Sequence, residues 1–314
     1  MKRALLTGAS GFVGANLARR LLNDGYEVHS ILRPEHKPWR IEDISNDLTI
    51  HRVDLSDIDK LESIVRLARP DYVFHLAAYG AYSYQENFHE IANTNIFGTY
   101  NLLEACLKTG FEVFLNAGSS SEYGFQDHAP TEDELPLPNS AYSWSKLSAA
   151  LWCGLAARSN SQRIHTLRLY SVYGPWEEPT RLVPTLIRKG MDGKLPPLVN
   201  PETARDYIHT QDVEDAFLSV ATTQGLPYDA VYNVCTGIET KLKDIVDITR
   251  KLLSIGQEPE WGSMEKRKWD TNKWVGQPNQ LINATNWRPK MTLADGLKQT
   301  VKWLSTPSNL QYYE

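Results

Sequence analysis

An α/β fold built on a doubly wound parallel sheet is predicted by three features of this chain of 314 residues. Short apolar runs alternate with longer amphipathic ones through the first half, the pattern of strands separated by helices. A glycine-rich turn joins the first apolar run to the first amphipathic one. No internal repeat or low-complexity stretch interrupts the alternation, so the sheet is expected to be continuous.

Taken in order, Arg3 to Leu6 reads as a strand that runs into Thr7-Gly8-Ala9-Ser10-Gly11-Phe12-Val13-Gly14. A helix with Leu17, Leu21 and Leu22 on its inner face follows, then Asp24-Gly25 and a second strand from Glu27 to Leu32. That is one βαβ unit. Glycines spaced G-x-x-G-x-x-G allow a tight turn and a close approach of bare backbone. The helix N-terminus can then offer its free N–H groups and positive dipole end to a pyrophosphate. Dinucleotide binding is therefore assigned to Gly8, Gly11, Phe12, Val13 and Gly14. The second strand ends Ser30-Ile31-Leu32-Arg33-Pro34, with no carboxylate until Glu35. An acidic residue there accepts from the ribose hydroxyls of NAD, whereas an arginine suits the 2′-phosphate of NADP. Arg33, helped by His36 or Arg40, predicts NADP(H), with NAD(H) as the alternative; an exposed loop arginine without a ligand is the plainer reading.

A third strand at Thr49 to Val53 ends in Asp54-Leu55, where a carboxylate can accept from the adenine amine. Next come a helix from Leu61 to Ala68 and a strand from Tyr72 to Leu76 that passes into Ala77-Ala78, small residues against which a cofactor can lie. An amphipathic helix spans Asn93 to Lys108 and contains Asn95 and Gly98-Thr99. A strand from Val113 to Leu115 then leads through Asn116-Ala117-Gly118-Ser119-Ser120-Ser121-Glu122-Tyr123-Gly124 and a loop with Pro130, Pro136 and Pro138. The following helix carries Tyr142 and Lys146, which at i and i+4 share a face. A phenol ionises near 10, and a neighbouring ammonium favours its phenolate. The pair is thus expected to form a proton donor and acceptor for work at neutral pH.

Composition bounds the rest. Hydrophobic residues make up 41% and charged residues 23%, values of a water-soluble globular chain. A formal charge of −5 and scattered basic residues argue against nucleic-acid binding. The run Lys266-Arg267-Lys268 reads as a solvated loop. Cys106, Cys153 and Cys235 are odd in number and widely spaced, so neither a disulfide framework nor a metal site is expected. The apolar stretch after Met1-Lys2-Arg3 stops at Thr7-Gly8, too short for a signal peptide, and no later segment is a membrane span. The expected location is the cytoplasm.

The ordered series of segments resembles the extended short-chain dehydrogenase/reductase family, in its NAD-dependent epimerase/dehydratase (nucleotide-sugar) branch. It comprises Gly8-Gly11-Gly14, Asp54-Leu55, His75-Leu76-Ala77-Ala78, Asn95 with Gly98-Thr99, the Ser119 segment, and Tyr142 with Lys146. Leu167-Arg168, Val172-Tyr173-Gly174-Pro175, Arg205-Asp206-Tyr207-Ile208-His209, Asp212-Val213, Tyr232-Asn233-Val234 and Asn286-Trp287-Arg288-Pro289 continue it to the C-terminal part. The resemblance implies a Rossmann dinucleotide domain over residues 1–170 and 206–235 and a smaller C-terminal α/β substrate domain over 171–205 and 236–314. It implies that Tyr142 is the general acid/base, that Lys146 lowers the Tyr142 pKa and holds the nicotinamide ribose, and that Ser119 hydrogen-bonds the sugar oxygen. Counting from the strand selects Ser119, while counting back from Glu122-Tyr123-Gly124 permits Ser120. Leu55, Leu76, Ala77, Ala78, Asn95 and Tyr170 join the cofactor side on the same ground. Arg205 resembles the arginine that grips the substrate diphosphate, with Arg181 as a second clamp whose planar donors match phosphate oxygens. Ser171 stands where many relatives carry Asn. Tyr79, Tyr82 and Tyr84 either line a sugar pocket or are ordinary packing. Trp261, Trp269, Trp274, Trp287 and Trp303 read as core of the smaller domain, and Gln277-Pro278-Asn279-Gln280 departs from the family pattern. The expected partners are a nucleotide-diphosphate sugar and a second copy of the chain, a homodimer.

Three reactions share such a site: 4-epimerisation, 4,6-dehydration and 4-keto reduction. Ser120 and Ser121 occupy the two positions after Ser119, where a dehydratase needs carboxylates, unless Glu122 is displaced into that role. Gly118-Ser119-Ser120-Ser121-Glu122-Tyr123-Gly124 resembles GDP-4-keto-6-deoxymannose reductases, and Tyr170-Ser171-Val172-Tyr173-Gly174-Pro175 resembles CDP-abequose and CDP-paratose synthases. The expectation is NADPH-dependent reduction of a nucleotide-linked 4-keto-6-deoxy sugar, with epimerase next, dehydratase third and a dinucleotide-sensing scaffold as the non-enzyme reading.

Overall fold

The computed structural model describes residues 1–36, 38–264 and 273–313, and Lys266-Arg267-Lys268 and Trp269 lie outside the described residues. The chain begins β1 (Arg3–Thr7), α1 (Phe12–Asn23), β2 (Glu27–Leu32), β3 (Thr49–Arg52), α2 (Ile58–Ala68) and β4 (Tyr72–His75). It continues through α3 (Phe88–Ala92), α4 (Gly98–Thr109), β5 (Val113–Ser119), α5 (Ala141–Asn160), β6 (Ile164–Leu169) and β7 (Ser171–Tyr173). Then come α6 (Leu182–Met191), β8 (Ala204–Arg205), β9 (Tyr207–His209), α7 (Thr210–Thr222), β10 (Val231–Val234), β11 (Thr240–Lys241), α8 (Leu242–Leu253) and β12 (Lys273–Trp274). Helices α9 (Asn279–Thr285), α10 (Leu293–Leu304) and α11 (Pro307–Leu310) close the order.

Seven strands form one sheet in the order β3-β2-β1-β4-β5-β6-β10, and every neighbouring pair is parallel. Alternate residues of a strand face opposite sides. Leu6, Phe74 and Leu115 therefore enter a core under α1 and α7, with Leu17 and Phe217. Leu5, Val73 and Phe114 enter the opposite core under α2, α4 and α5, with Leu61, Leu102 and Cys153. Both faces are covered, which is why these strands read as unbroken apolar runs. The strand order reverses between β1 and β4, and the crevice outside their carboxyl ends is where such sheets take ligands.

A third apolar cluster joins Leu186 of α6, Ile245 of α8 and Leu297 of α10. Beside it, β8 pairs antiparallel with β11 and parallel with β12, and β7 pairs parallel with β9. Asp206, fully buried, ties these pieces together: Oδ1 accepts from the Thr236 N–H and hydroxyl at 2.8 and 2.7 Å, and Oδ2 from the Gly237 N–H at 2.8 Å.

Three elements differ from the sequence expectation. Strand β5 runs four residues beyond Leu115 to Ser119, because β6 offers it a parallel partner through Leu169. The helix expected at Asn93 starts earlier, as α3, and joins α4 through a π-helical turn over Asn93–Phe97. Trp287 belongs to the α1/α7 core, not the smaller cluster, where its indole N–H donates to the Asp212 carbonyl at 2.9 Å.

The close approach of α1 to the turn before it yields a stability prediction. A Cβ on Gly14 would lie 2.1 Å from the Gly8 carbonyl oxygen, and that backbone atom has nowhere to go. Gly14→Ala should therefore destabilise the chain by about 1–3 kcal/mol, the usual cost of overpacking. Urea unfolding would register this as a lower midpoint; an unchanged midpoint would contradict it.

Candidate active site

The glycine turn is shaped by contacts that exclude side chains. Gly8 has φ +75°, and a Cβ there would meet the Ala77 nitrogen at 2.6 Å, so the end of β1 lies directly on the chain leaving β4. The Gly11 N–H donates to the Gly8 carbonyl at 2.9 Å, closing the turn. Gly11 then starts α1 with no side chain capping its first N–H groups. Those donors face the sheet's switch point, and the bare backbone on either side fits the phosphates of a dinucleotide. Leu76 and Ala77 are half-buried and Ala78 is exposed, together forming the adjoining wall. Asp54 holds its own turn, accepting from the Ser56 N–H and hydroxyl through one oxygen at 2.9 and 2.7 Å.

Beyond β2, Arg33 is exposed. Arg52, to which the sequence reading gave no role, organises the loop. Its guanidinium donates to the carbonyls of Arg33, Pro34 and His36 at 3.4, 2.9 and 3.2 Å. Burial, followed by the charges of Arg33, Arg40 and Arg52, lowers the His36 pKa. Arg40 departs from the expected helper role. It is buried and donates to the Trp176 carbonyl at 2.8 Å, pairs with Glu178 at 2.8 Å, and stacks on Trp39 at 4.1 Å.

A buried polar chain lies behind the cofactor wall. His75 bridges the Thr7 hydroxyl at 2.7 Å and the Thr99 hydroxyl at 2.8 Å, and Thr99 donates to the Asn95 carbonyl at 2.6 Å. The Asn95 amide accepts from the Tyr79 N–H and donates to the Tyr79 carbonyl and the Ser145 hydroxyl, each at 2.8 Å. Asn95, in the π-helical turn, therefore ties the Tyr79 backbone to α5.

Ser119 ends β5, and Tyr142 and Lys146 lie one turn apart on α5, which packs against that strand. Ser140 caps the helix: its hydroxyl accepts from the Ser143 N–H at 3.1 Å, and the Ser143 hydroxyl accepts from the Ser140 N–H at 2.9 Å. This reciprocal cap sets the first turn, which carries Tyr142. The Ser119 hydroxyl hydrogen-bonds the Ser121 hydroxyl at 2.8 Å and lies close enough to the Tyr142 phenol to favour its ionised form. Tyr142 does not show the lowered pKa expected of it. Burial pushes it up to about 12, because removing water penalises the phenolate, and the nearby Ser119 hydroxyl only partly opposes this. Lys146 is buried in turn, which lowers its pKa, while Glu122 acts to raise it.

Glu122 itself is fully buried and committed. One oxygen accepts from the Ser119 N–H at 2.7 Å and the other from Arg168 Nε at 2.8 Å. Arg168 also donates to the Tyr123 hydroxyl at 2.7 Å, and Tyr123 donates to Asn233 at 2.9 Å. Sequence reading gave no role to Arg168. The signal was an arginine inside an apolar strand, which demands a buried partner.

On the substrate side the candidates are more dispersed. Arg181, exposed at the start of α6, donates to the Ala81 carbonyl at 3.0 Å and lies 5.2 Å over the Tyr82 ring, which stacks on Tyr84. Arg205 is half-buried over Trp274 at 5.7 Å and donates to the Ala204 carbonyl at 3.0 Å. The Ser171 N–H is taken by the Asp206 carbonyl at 3.0 Å. Ser120 and Tyr170 line a narrow crevice with Tyr123, Pro130 and Trp274. The ring of Tyr170 packs on Gly276, where a Cβ would come within 2.5 Å of its hydroxyl. A wider groove, lined by Arg3, Arg66, Asp71 and Lys108, lies at the opposite ends of the strands, away from these groups. Among the described residues no cluster of His, Cys, Asp or Glu suits a metal, and no helix is long and apolar enough to cross a membrane.

Known proteins share this sequence pattern and fold. The model of the NAD dependent epimerase/dehydratase family matches residues 4–235. GDP-6-deoxy-D-mannose reductase of Pseudomonas aeruginosa is 28% identical over 310 residues, covering 95% of each chain. dTDP-glucose 4,6-dehydratase of Streptomyces griseus is 29% identical, covering 95% of this chain and 93% of its own. Among solved structures, UDP-glucuronic acid 4-epimerase from Bacillus cereus in complex with UDP-glucuronic acid and NAD superposes with a TM-score of 0.86. It is 26% identical, covering 97% of this chain and 99% of its own.

The buried His75 gives a pH prediction. Burial and the nearby Lys146 lower its pKa from 6.5 to about 3. The unfolded chain thus binds a proton that the folded one refuses, so this contribution to stability is complete above pH 6.5 and is lost as pH falls toward 3. Urea unfolding of the wild type and of His75→Gln at pH 7 and pH 5 should differ, with the variant losing about 1–2 kcal/mol less over that interval. Equal losses would remove His75 from the acid response.

Proposed function

The chain belongs to the NAD dependent epimerase/dehydratase family, and from that premise we propose that it reduces a nucleotide-linked 4-keto-6-deoxy sugar at C4 with NADPH. The observation that carries the reading is the pairing at the end of β5. Glu122, the carboxylate nearest Ser119 in sequence, has both oxygens engaged by the Ser119 N–H and Arg168, and Ser120 and Ser121 carry no acid. Eliminating water from a sugar needs a free acid and base beside the carbonyl, and neither serine serves as one. The choice between reduction and epimerisation leans on the cationic loop after β2. Arg33 and Arg52 gather there, and β2 itself ends without an acidic residue before Arg33, the first carboxylate being Glu35, which supports a 2′-phosphate. A 4-epimerase is the second reading, favoured by the likeness to the NAD-bound UDP-glucuronic acid 4-epimerase.

Bound NADPH would supply a hydride to the sugar C4 carbonyl. Tyr142, held as a phenol through neutral pH by its burial, donates the proton that completes the alcohol. Ser119 directs its hydroxyl to the same carbonyl oxygen and stabilises the charge that develops there. Lys146, one turn along α5, holds the ribose and places a cation near the phenol. Residues 171–205 and 236–314 supply the nucleotide-sugar side in this reading, with Arg181 and Arg205 toward the diphosphate. Exposed Trp144, Leu151 and Leu155 recur on one face of α5 beside Tyr100 of α4, an apolar strip that supports pairing with a second copy.

Two measurements test the reading. Tyr142→Phe should lose about 10²–10⁴ in turnover, with stoichiometric NADPH oxidation by the wild type on a 4-keto sugar nucleotide; cofactor-neutral interconversion of two hexose nucleotides would favour the epimerase. Arg33→Ala should cut the preference for NADPH over NADH by about ten- to a hundredfold, the worth of a charged hydrogen bond. An unchanged ratio would remove Arg33 from cofactor selection.

A further inference from the structure

We propose that Glu122, through its pair with Arg168, is a positioning residue that fixes the Ser119 turn and supplies the buried negative charge facing Tyr142 and Lys146. The inference rests on the reading of Tyr142 and Lys146 as the acid/base pair. The geometry of the brace carries it, and the charge of the same carboxylate adds to it. First, the carboxylate is a brace. Its 2.7 Å bond to the Ser119 N–H locks the residue whose hydroxyl lies close to the Tyr142 phenol, and its 2.8 Å bond to Arg168 Nε anchors that brace to the neighbouring strand β6. Gly118 is required beneath it, since a Cβ there would lie 2.8 Å from the Glu122 oxygen. The Tyr123 ring stacks under the guanidinium at 4.5 Å and, through Asn233, extends the brace to β10.

Second, the carboxylate is an electrostatic partner: it is fully buried, so water does not screen it, and the Arg168 guanidinium offsets only part of its field. The titratable and polar groups that act on Tyr142 are Ser119 and Glu122 from the end of β5, Tyr82 from the loop after β4, and Arg181 from the start of α6. Those that act on Lys146 are Glu122 and Cys153, and Lys146 in turn acts on His75 at the end of β4. Glu122 acts on both members of the pair in one sense: it disfavours the phenolate and favours the ammonium. A cation buried as deeply as Lys146 otherwise sheds its proton. A reduction needs Tyr142 as a phenol, so this charge extends the working range toward higher pH.

The test separates the brace from the charge. In Glu122→Gln the negative charge is gone, so the alkaline limb of the kcat/KM profile should move to lower pH by about one unit. Turnover should fall about 10- to 100-fold, the cost of a small misplacement at the reacting centre, with KM for NADPH near wild type. Glu122→Asp keeps the charge but shortens the brace; it should lose turnover while its alkaline limb stays where the wild type has it. Since an unpaired Arg168 can prevent folding, the same profile is read on Glu122→Gln/Arg168→Met, which removes both charges and should shift acidic by less, because the lost guanidinium acts in the opposite sense. A limb that stays in place in the folded charge-removing variant overturns the electrostatic role, and wild-type turnover in Glu122→Asp overturns the brace. Tyr142→Phe, assayed alongside, tells the two ideas apart. Full activity there sinks the acid/base reading itself, whereas an inactive Tyr142→Phe with an unmoved limb in the glutamine variant sinks the Glu122 inference alone.

Discussion

The contact of Gly8 with the backbone leaving β4 sets the separation on which the remainder of the site depends. With φ +75° and no room for a Cβ against Leu76 and Ala77, Gly8 lets β1 and β4 lie side by side up to their last residues. That packing opens the switch-point crevice directly over the uncapped start of α1. It also brings Thr7 within reach of His75, and so links the glycine turn to the buried chain that ends at Ser145 on α5. The glycine turn and α5 are thus held in one frame by hydrogen bonds that solvent does not reach.

Within that frame, burial decides chemistry as much as residue identity does. A Tyr and Lys one turn apart suggest a lowered phenol pKa, yet Tyr142 rises to about 12 because desolvation outweighs the polar contacts opposing it. For a proton donor this is the useful direction. Glu122 shows the same logic: a carboxylate beside Ser119 is an apparent acid until its pairing with Arg168 is visible. A buried ion pair of this kind is weak evidence for stability but strong evidence for fixed geometry.

Much of the fold followed from local pattern. The βαβ opening, strand β2 at Glu27–Leu32 and the helix bearing Tyr142 are products of apolar periodicity and capping, which act within a few residues. What failed did so at places governed by distant partners. Strand β5 was extended to Ser119 by β6, and Trp287 was drawn to the α7 side by the Asp212 carbonyl. Arg40, likewise, was claimed by Trp176 and Glu178, residues more than a hundred positions away.

By itself, then, the sequence determined the class of fold, the glycine turn, the i and i+4 placement of Tyr142 and Lys146, and the absence of an acid at Ser120 and Ser121. Each of these is a short-range property, written in residue type and spacing. Only the tertiary structure decided that Glu122 is spent on Ser119 and Arg168, that Arg52 shapes the loop of Arg33, and that Tyr142 keeps its proton. Those outcomes depend on which groups lose water and which partner they then find, and both are fixed only when strands and helices remote in the chain are packed together.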